Sequence, residues 1–136
     1  YPVPPRQATQ GQTETFIGSW LARHPGRRGE FVLASKIAGP GRRDWIRGGD
    51  TKVSAKTIPW AIDDSLARLK TDYIDLFQIH WPDRYVPMFG QWAYDAAQDR
   101  PATPILEQVE ALARAIEAGK IRAYGLSNET CYGLCE

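Results

Sequence analysis

Three short apolar runs, residues 31–36, 73–80 and 122–126, each reached through a helical stretch, predict an α/β fold with a parallel sheet. The runs begin 42 and 49 residues apart, so the connections are crossovers, which are right-handed in such sheets, and not hairpins. No GxGxxG or GxxxxGK[ST] follows a run, which removes the phosphate-cradling turns of the open-sheet nucleotide folds and favours the (β/α)8 TIM barrel. A whole barrel takes about 250 residues, whereas this chain has 136. It reads as an incomplete barrel domain over residues 1–136, roughly the second to fifth βα units, with N- and C-terminal parts missing.

Along the chain, residues 1–12 carry Pro2, Pro4, Pro5 and Gly11 and predict a surface loop. Thr13, Phe16, Ile17, Trp20 and Leu21 then recur at helical spacing, with Glu14 in the first turn, until His24-Pro25-Gly26 breaks the pattern. Residues 31–36 form a continuous apolar run with a charge only at its end, the pattern of a strand buried on both faces. Residues 39–50 make a long irregular loop bearing glycines, Arg42, Arg43, Trp45 and Arg47. From about Ser54 to Leu69, Ile58, Ile62, Leu66 and Leu69 mark a second amphipathic helix, and Pro59 argues that its regular part starts after Ser54. Residues 73–80 are the second strand, closed by Trp81-Pro82. A loop over residues 83–103 follows, long enough to favour a functional role. Pro104 opens a third helix with Ile105, Leu106, Val109, Leu112, Ala113 and Ile116 on one face and Gly119 at its end. Residues 122–126 give the third strand, with Ser127-Asn128 at its C-terminal end.

Lys+Arg 17 against Asp+Glu 16, a net charge of +1, gives no electrostatic footprint for a nucleic-acid or polybasic membrane binder. No apolar run approaches the roughly 18 residues of a membrane span, and the chain reads as soluble. With 43% hydrophobic residues it can bury a core. Cys131 and Cys135 are too few for a disulfide framework or a multi-cysteine zinc site and read as ordinary residues on one helical face. The basic segment 23–28 reads as a solvated connector, and Arg42, Arg43 and Arg47 as a solvated loop, with preference for an anionic substrate as the alternative.

In a barrel the active site is built at the C-terminal ends of the strands. Three of those ends carry Lys36, His80 and the pair Ser127-Asn128, and a parallel sheet points all of them to one rim. Alone, each has a plain structural reading, as a solvated charge, a satisfied histidine or a helix cap. Their coincidence on one rim points to a site.

Leu33 to Lys36, Thr71 to Pro82 and Gly119 to Glu129 resemble, in order and spacing, the aldo-keto reductase superfamily. Tyr1 to Pro5 with Thr9-Gln10-Gly11 and Thr13-Glu14 is similar to the branch of bacterial and plastid-type reductases related to the potassium-channel β subunits. The resemblance implies reduction of an aldehyde or ketone to an alcohol by hydride transfer from NADPH. It places Tyr1 as proton donor, Lys36 and His80 as the lysine and histidine of an Asp, Tyr, Lys, His tetrad, and Ser127 and Asn128 on the nicotinamide carboxamide. The tetrad aspartate would fall five residues before Tyr1, and the main grip on the adenosine 2′-phosphate falls near the end of the full barrel. Trp45 and Trp81, with the two long loops, are expected to line the substrate pocket; their aromatics suit apolar carbonyls, and equally a loop that packs on itself.

The expected partner is a small carbonyl substrate, with no nucleic acid, no membrane and no metal, and homo-oligomerisation of the full-length parent is left open. Residues 1–136 alone are expected to be inactive, and unstable or self-associating through open sheet edges. The location is cytoplasmic or plastid, undecided because any transit peptide would precede Tyr1. Two other readings compete. A nicotinamide-binding, redox-sensing regulatory subunit with little turnover is one, and His80 argues against it because those relatives tend to carry Asn there. A hydrolase using His80 and Asp83 on a metal is the other; it lacks further strand-end ligands, since His24 is the only other histidine.

Overall fold

A computed structural model describes residues 5–41 and 44–136. Helix α1 (Gln12–Arg23) starts where Gly11 takes a left-handed backbone, with φ of +73°, and carries Glu14 in its first turn, where the helix dipole favours a negative charge. Only Gly18 and Leu21 of α1 are buried, while Phe16 and Ile17 are exposed. The apolar spacing therefore overstates the covered face, because a single helix, α2 (Thr57–Leu69), packs against α1. At the crossing, a Cβ on Gly18 would lie 2.9 Å from Leu69 Cα, so only glycine admits this approach.

Strand β1 (Ala34–Ile37) is shorter than the apolar run that predicts it: Phe31 and Val32 lie outside it and are exposed. It is covered on one face, with Ser35 and Ile37 buried and Ala34 and Lys36 exposed, which corrects the expectation of burial on both. Helix α2 begins three residues after Ser54 and holds Pro59 in its first turn, where a missing N–H costs least. Ahead of it, the Ser54 carbonyl accepts from Thr57 N–H and Ile58 N–H, and Thr57 Oγ1 donates to the Lys52 carbonyl at 2.5 Å. Strand β2 (Ile74–Ile79), helix α3 (Ile105–Glu117), strand β3 (Ile121–Leu126) and the short helix α4 (Cys131–Cys135) follow.

Helix α3 closes in a Schellman turn, with Gly119 at φ of +72°, its N–H on the Ile116 carbonyl and the Lys120 N–H on the Ala115 carbonyl. Its buried side is Gln108, Ala111, Leu112 and Ala115, rotated from the predicted face, and Leu106 and Ile116 stay exposed where no described element covers them. The three strands pair in parallel in the order β1-β2-β3, with Lys36 opposite Gln78 and Gln78 opposite Gly125. Helices and sheet enclose one core of Ile37, Ile58, Ile62, Leu69, Phe77 and Leu112 with their neighbours.

Alternation along the strands sends Ala34, Lys36, Leu76, Gln78 and Ala123 to the face away from this core. The chain accordingly exposes 8323 Å², against about 7,100 Å² for a compact monomer of its mass.

At the N-terminal end of the sheet, Asp75 accepts from Arg28 Nη2 at 2.8 Å, Arg122 Nη1 at 3.0 Å and the Leu33 N–H at 2.9 Å. The two guanidinium carbons lie 3.9 and 4.0 Å from the centre of the Tyr73 ring. Arg28 also holds Thr71 Oγ1 and the Tyr73 carbonyl, so the 23–28 segment is more than a solvated connector. The reason is geometric: Arg28 reaches the start of β2, where an otherwise uncompensated carboxylate needs it.

Candidate active site

Lys36 sits one residue before the end of β1, on the open face, with its side chain exposed. His80 directly follows β2; its N–H donates to the Ile37 carbonyl at 3.1 Å, and its ring centre is 6.3 Å from that of Trp81. Ser127 and Asn128 directly follow β3. The Ser127 N–H donates to the Ile79 carbonyl at 2.9 Å, and Asn128 Nδ2 donates to the His80 carbonyl at 2.7 Å and to Ser127 Oγ at 3.0 Å. Asn128 has φ of +58°, a left-handed conformation that asparagine tolerates better than most residues. Parallel pairing thus collects Lys36, His80, Ser127 and Asn128 at the C-terminal ends of three adjacent strands. Tyr1 lies outside the described residues, as do Arg42 and Arg43.

Trp45 is half-buried and shares a cavity of about 320 Å³ with Lys36, Ser35, Arg47, Glu14 and Arg68. Arg68 Nε donates to Glu14 Oε2 at 2.6 Å, and the Ser35 hydroxyl hydrogen-bonds the other oxygen of that carboxylate. Trp81 is not in the lining of this cavity; its ring packs on Phe89 at 5.2 Å, and a Cβ on Gly39 would lie 2.7 Å from its carbonyl oxygen. The two long loops therefore meet at Trp81.

Arg47 is only 9% exposed, so it is not the solvated loop charge that its neighbours suggest. Its Nη2 donates to the Ala38 carbonyl at 2.8 Å and its Nε to the Asp50 carbonyl at 3.0 Å, and burial pulls its pKa below the usual guanidinium range. A side chain held this way braces the loop and is not offered to a ligand.

Asp83 is 3% exposed and accepts the Val53 N–H and the Thr103 N–H, each at 2.7 Å. Its two oxygens close the long loop and tie it to the segment ahead of α2, which disfavours a metal-ligand role beside His80. Among the described residues no group of three or more His, Cys, Asp or Glu could hold a metal ion, and no helix is long and apolar enough to cross a membrane. Cys131 and Cys135 are both exposed free thiols at the two ends of α4.

Sequence reasoning missed one part of the site. Arg84 pairs through Nη1 and Nη2 with both carboxylate oxygens of Glu129, joining the loop after β2 to the residue that follows Asn128. The acidic residue inside the matched 119–129 motif was its only sequence signal.

The profile of the Aldo/keto reductase family matches residues 1–136, the whole chain. The chain belongs to the aldo/keto reductase family. It is 48% identical over 136 residues to protein tas of Escherichia coli, a match that covers 98% of this chain and 39% of that protein. Among solved structures, the thermostable aldo-keto reductase Tm1743 in complex with the inhibitor epalrestat superposes with a TM-score of 0.65 at 27% identity, over 91% of this chain and 34% of that one. An aldo-keto reductase from Klebsiella pneumoniae in complex with NADPH does so with a TM-score of 0.62 at 27% identity, over 92% and 33%. This aldo/keto reductase chain therefore spans about 39% of the length of protein tas, and its three-stranded parallel sheet is part of the family's (β/α)8 barrel.

Proposed function

We propose that this chain supplies the proton-transfer and nicotinamide-contact residues of an NADPH-dependent reductase of aldehydes or ketones. The observation that carries the reading is the meeting of Lys36, His80, Ser127 and Asn128 at one end of three paired strands. A related structure holds NADPH, and the donor set here suits its carboxamide. Asn128 Nδ2 is committed to the His80 carbonyl and Ser127 Oγ, which leaves Asn128 Oδ1 to accept and the Ser127 hydroxyl to donate. When bound, NADPH supplies the hydride.

Everything else falls to side chains. Negative charge gathers on the carbonyl oxygen as it is reduced, so a proton donor must lie within hydrogen-bond reach. Tyr1 is that donor. A phenol with a pKa of about 10 gives up its proton reluctantly at neutral pH, and the Lys36 ammonium beside it brings it toward the working range. His80 orients the carbonyl oxygen by a second hydrogen bond. Trp45 borders the substrate side of Lys36. Residues 1–136 by themselves are not expected to turn over. The cytoplasm is the proposed location, and the relatives matched lend no support to a plastid.

The test is NADPH oxidation, followed by nicotinamide absorbance, in the complete gene product that carries this chain, with an aromatic aldehyde as substrate. Turnover should fall roughly 10²- to 10⁴-fold in Lys36→Met, the usual worth of assisted proton transfer. Lys36 is exposed, so the fold should survive the change. Tight NADPH binding without oxidation would replace this reading by the redox-sensing regulatory subunit.

A further inference from the structure

We propose that Arg84 and Glu129 form a positioning clamp that holds Ser127 and Asn128 against His80, and that residue 133 is glycine because the clamp occupies the space a side chain would need. The proposal rests on the reading of Ser127 and Asn128 as the nicotinamide contacts.

Two ties already join the ends of β2 and β3, from the Ser127 N–H to Ile79 and from the Asn128 side chain to His80. Both lie before residue 129. Beyond it the chain turns into α4, whose five residues are too few for a self-sustaining helix. Arg84, four residues after His80, reaches across to Glu129 with both terminal nitrogens and donates from Nη2 to Thr130 Oγ1 at 2.9 Å. Asn128 is thereby bracketed, tied on its own side chain to His80 and anchored through the next residue to Arg84.

The pair is shielded, with side-chain exposures of 21% for Arg84 and 10% for Glu129, so its geometry counts for more than that of a surface ion pair. Burial pushes the Glu129 carboxyl up, but Arg84 and the Thr130 N–H outweigh it and hold the group below its ordinary value. It stays ionised at neutral pH. The Arg84 guanidinium also lies 5.4 Å from the centre of the Tyr132 ring.

Gly133 adds an independent observation. A Cβ there would fall 2.5 Å from Arg84 Nη2 and 2.5 Å from Glu129 Cδ and Oε1. Residue 133 is buried, and alanine would serve a helix better than glycine does. A pair that served only to cap α4 would duplicate Thr130, whose side chain already accepts from the Gly133 N–H at 3.4 Å.

The experiment uses the complete gene product, with Arg84→Met, Glu129→Gln and the exchanged pair Arg84→Glu/Glu129→Arg. The dissociation constant for NADPH should rise roughly tenfold in each single variant and recover in part in the exchange, a loss of about 1.4 kcal/mol. The KM for the carbonyl substrate at saturating NADPH should not move. The side-chain amide signals of Asn128 in nitrogen-15 NMR should shift toward solvent-exposed values in both single variants, with or without cofactor. Should Arg84→Met fail to fold, Arg84→Lys, which keeps the charge and loses the two-pronged grip, carries the same comparison. Folded single variants with unchanged NADPH affinity and unchanged Asn128 signals would overturn the clamp. If the unaltered protein binds no NADPH, the nicotinamide reading fails, and the Asn128 signals alone then decide whether the pair positions that residue.

Discussion

The side-chain amide of Asn128 donates to the backbone carbonyl of His80 at 2.7 Å, so two residues 48 positions apart in sequence share one hydrogen bond at the rim of the sheet. The interaction ties a side chain to backbone that no sheet ladder satisfies, and it locks the Asn128 head group while the backbone stays left-handed. Asn128→Asp removes the donor and sets a carboxylate against a carbonyl oxygen. A loss of about 1–3 kcal/mol is expected, measured by urea denaturation of the complete gene product. Asn128→Gly keeps the positive φ at no steric cost and should lose less.

Asp75 predicts the acid limit of stability. Burial pushes its carboxyl up, but the Leu33 N–H, Arg28 and Arg122 together hold it below its ordinary value. Its contribution is therefore complete above the unfolded pKa of about 3.9 and drains away as pH falls through the lower folded value. Asp75→Asn should cost about 1.5–3 kcal/mol at neutral pH. Denaturation midpoints of the variant should also depend less on pH than those of the parent protein in the acid range. Equal slopes would show that other carboxylates set that limit.

Gly18→Ala tests the crossing of α1 and α2. The added methyl meets backbone of residues 68 and 69, which cannot rotate aside as a side chain would. We expect a destabilisation of about 1–3 kcal/mol, despite the gain in helix propensity. A neutral or stabilising result would mean that the helices separate at little cost.

Asp83→Asn leaves one of two buried backbone donors facing an amide NH₂ instead of an oxygen. Stability should drop by about 1–3 kcal/mol, and hydrogen exchange at the Val53 and Thr103 amides should quicken. Treatment with a chelator should leave turnover of the complete gene product unchanged. Loss of activity on chelation would revive a metal bound by Asp83 and His80.

The open face of the sheet and the exposed Leu106, Ile116, Tyr124 and Leu126 predict that residues 1–136, produced alone, self-associate. Size-exclusion chromatography should show species larger than a monomer. A monomer that melts cooperatively would refute this.

The strands, the helices and the rim residues were legible in sequence because each rests on local chemistry. The β-branched stretch around Ile74 and Ile79, the Pro59 constraint on the start of α2 and the Gly119 stop of α3 act within a few residues of themselves. Burial was less legible, and Phe16, Leu106 and Ile116 show why. Their helical spacing states that one side of a helix is apolar, and says nothing about whether a neighbour arrives to cover it.

Arginines and carboxylates were the least legible. Arg47, Arg28, Asp83 and Glu129 sit in segments that look solvated, yet each is buried or paired with a partner at least nine residues away or with several backbone groups at once. A charged side chain shows its role only when the backbone groups it serves are placed.

By itself, the amino-acid sequence determined the order of strand and helix, the family, and the residues Lys36, His80, Ser127 and Asn128 that end the strands. Only the tertiary structure decided that Asn128 is tied to His80, that Arg84 grips Glu129 over Gly133, and that Asp83 closes its loop. The physical reason is range. Propensity and periodicity act over one or two turns of chain, whereas these contacts exist only after parallel pairing brings residues some 20 to 50 positions apart within hydrogen-bond distance.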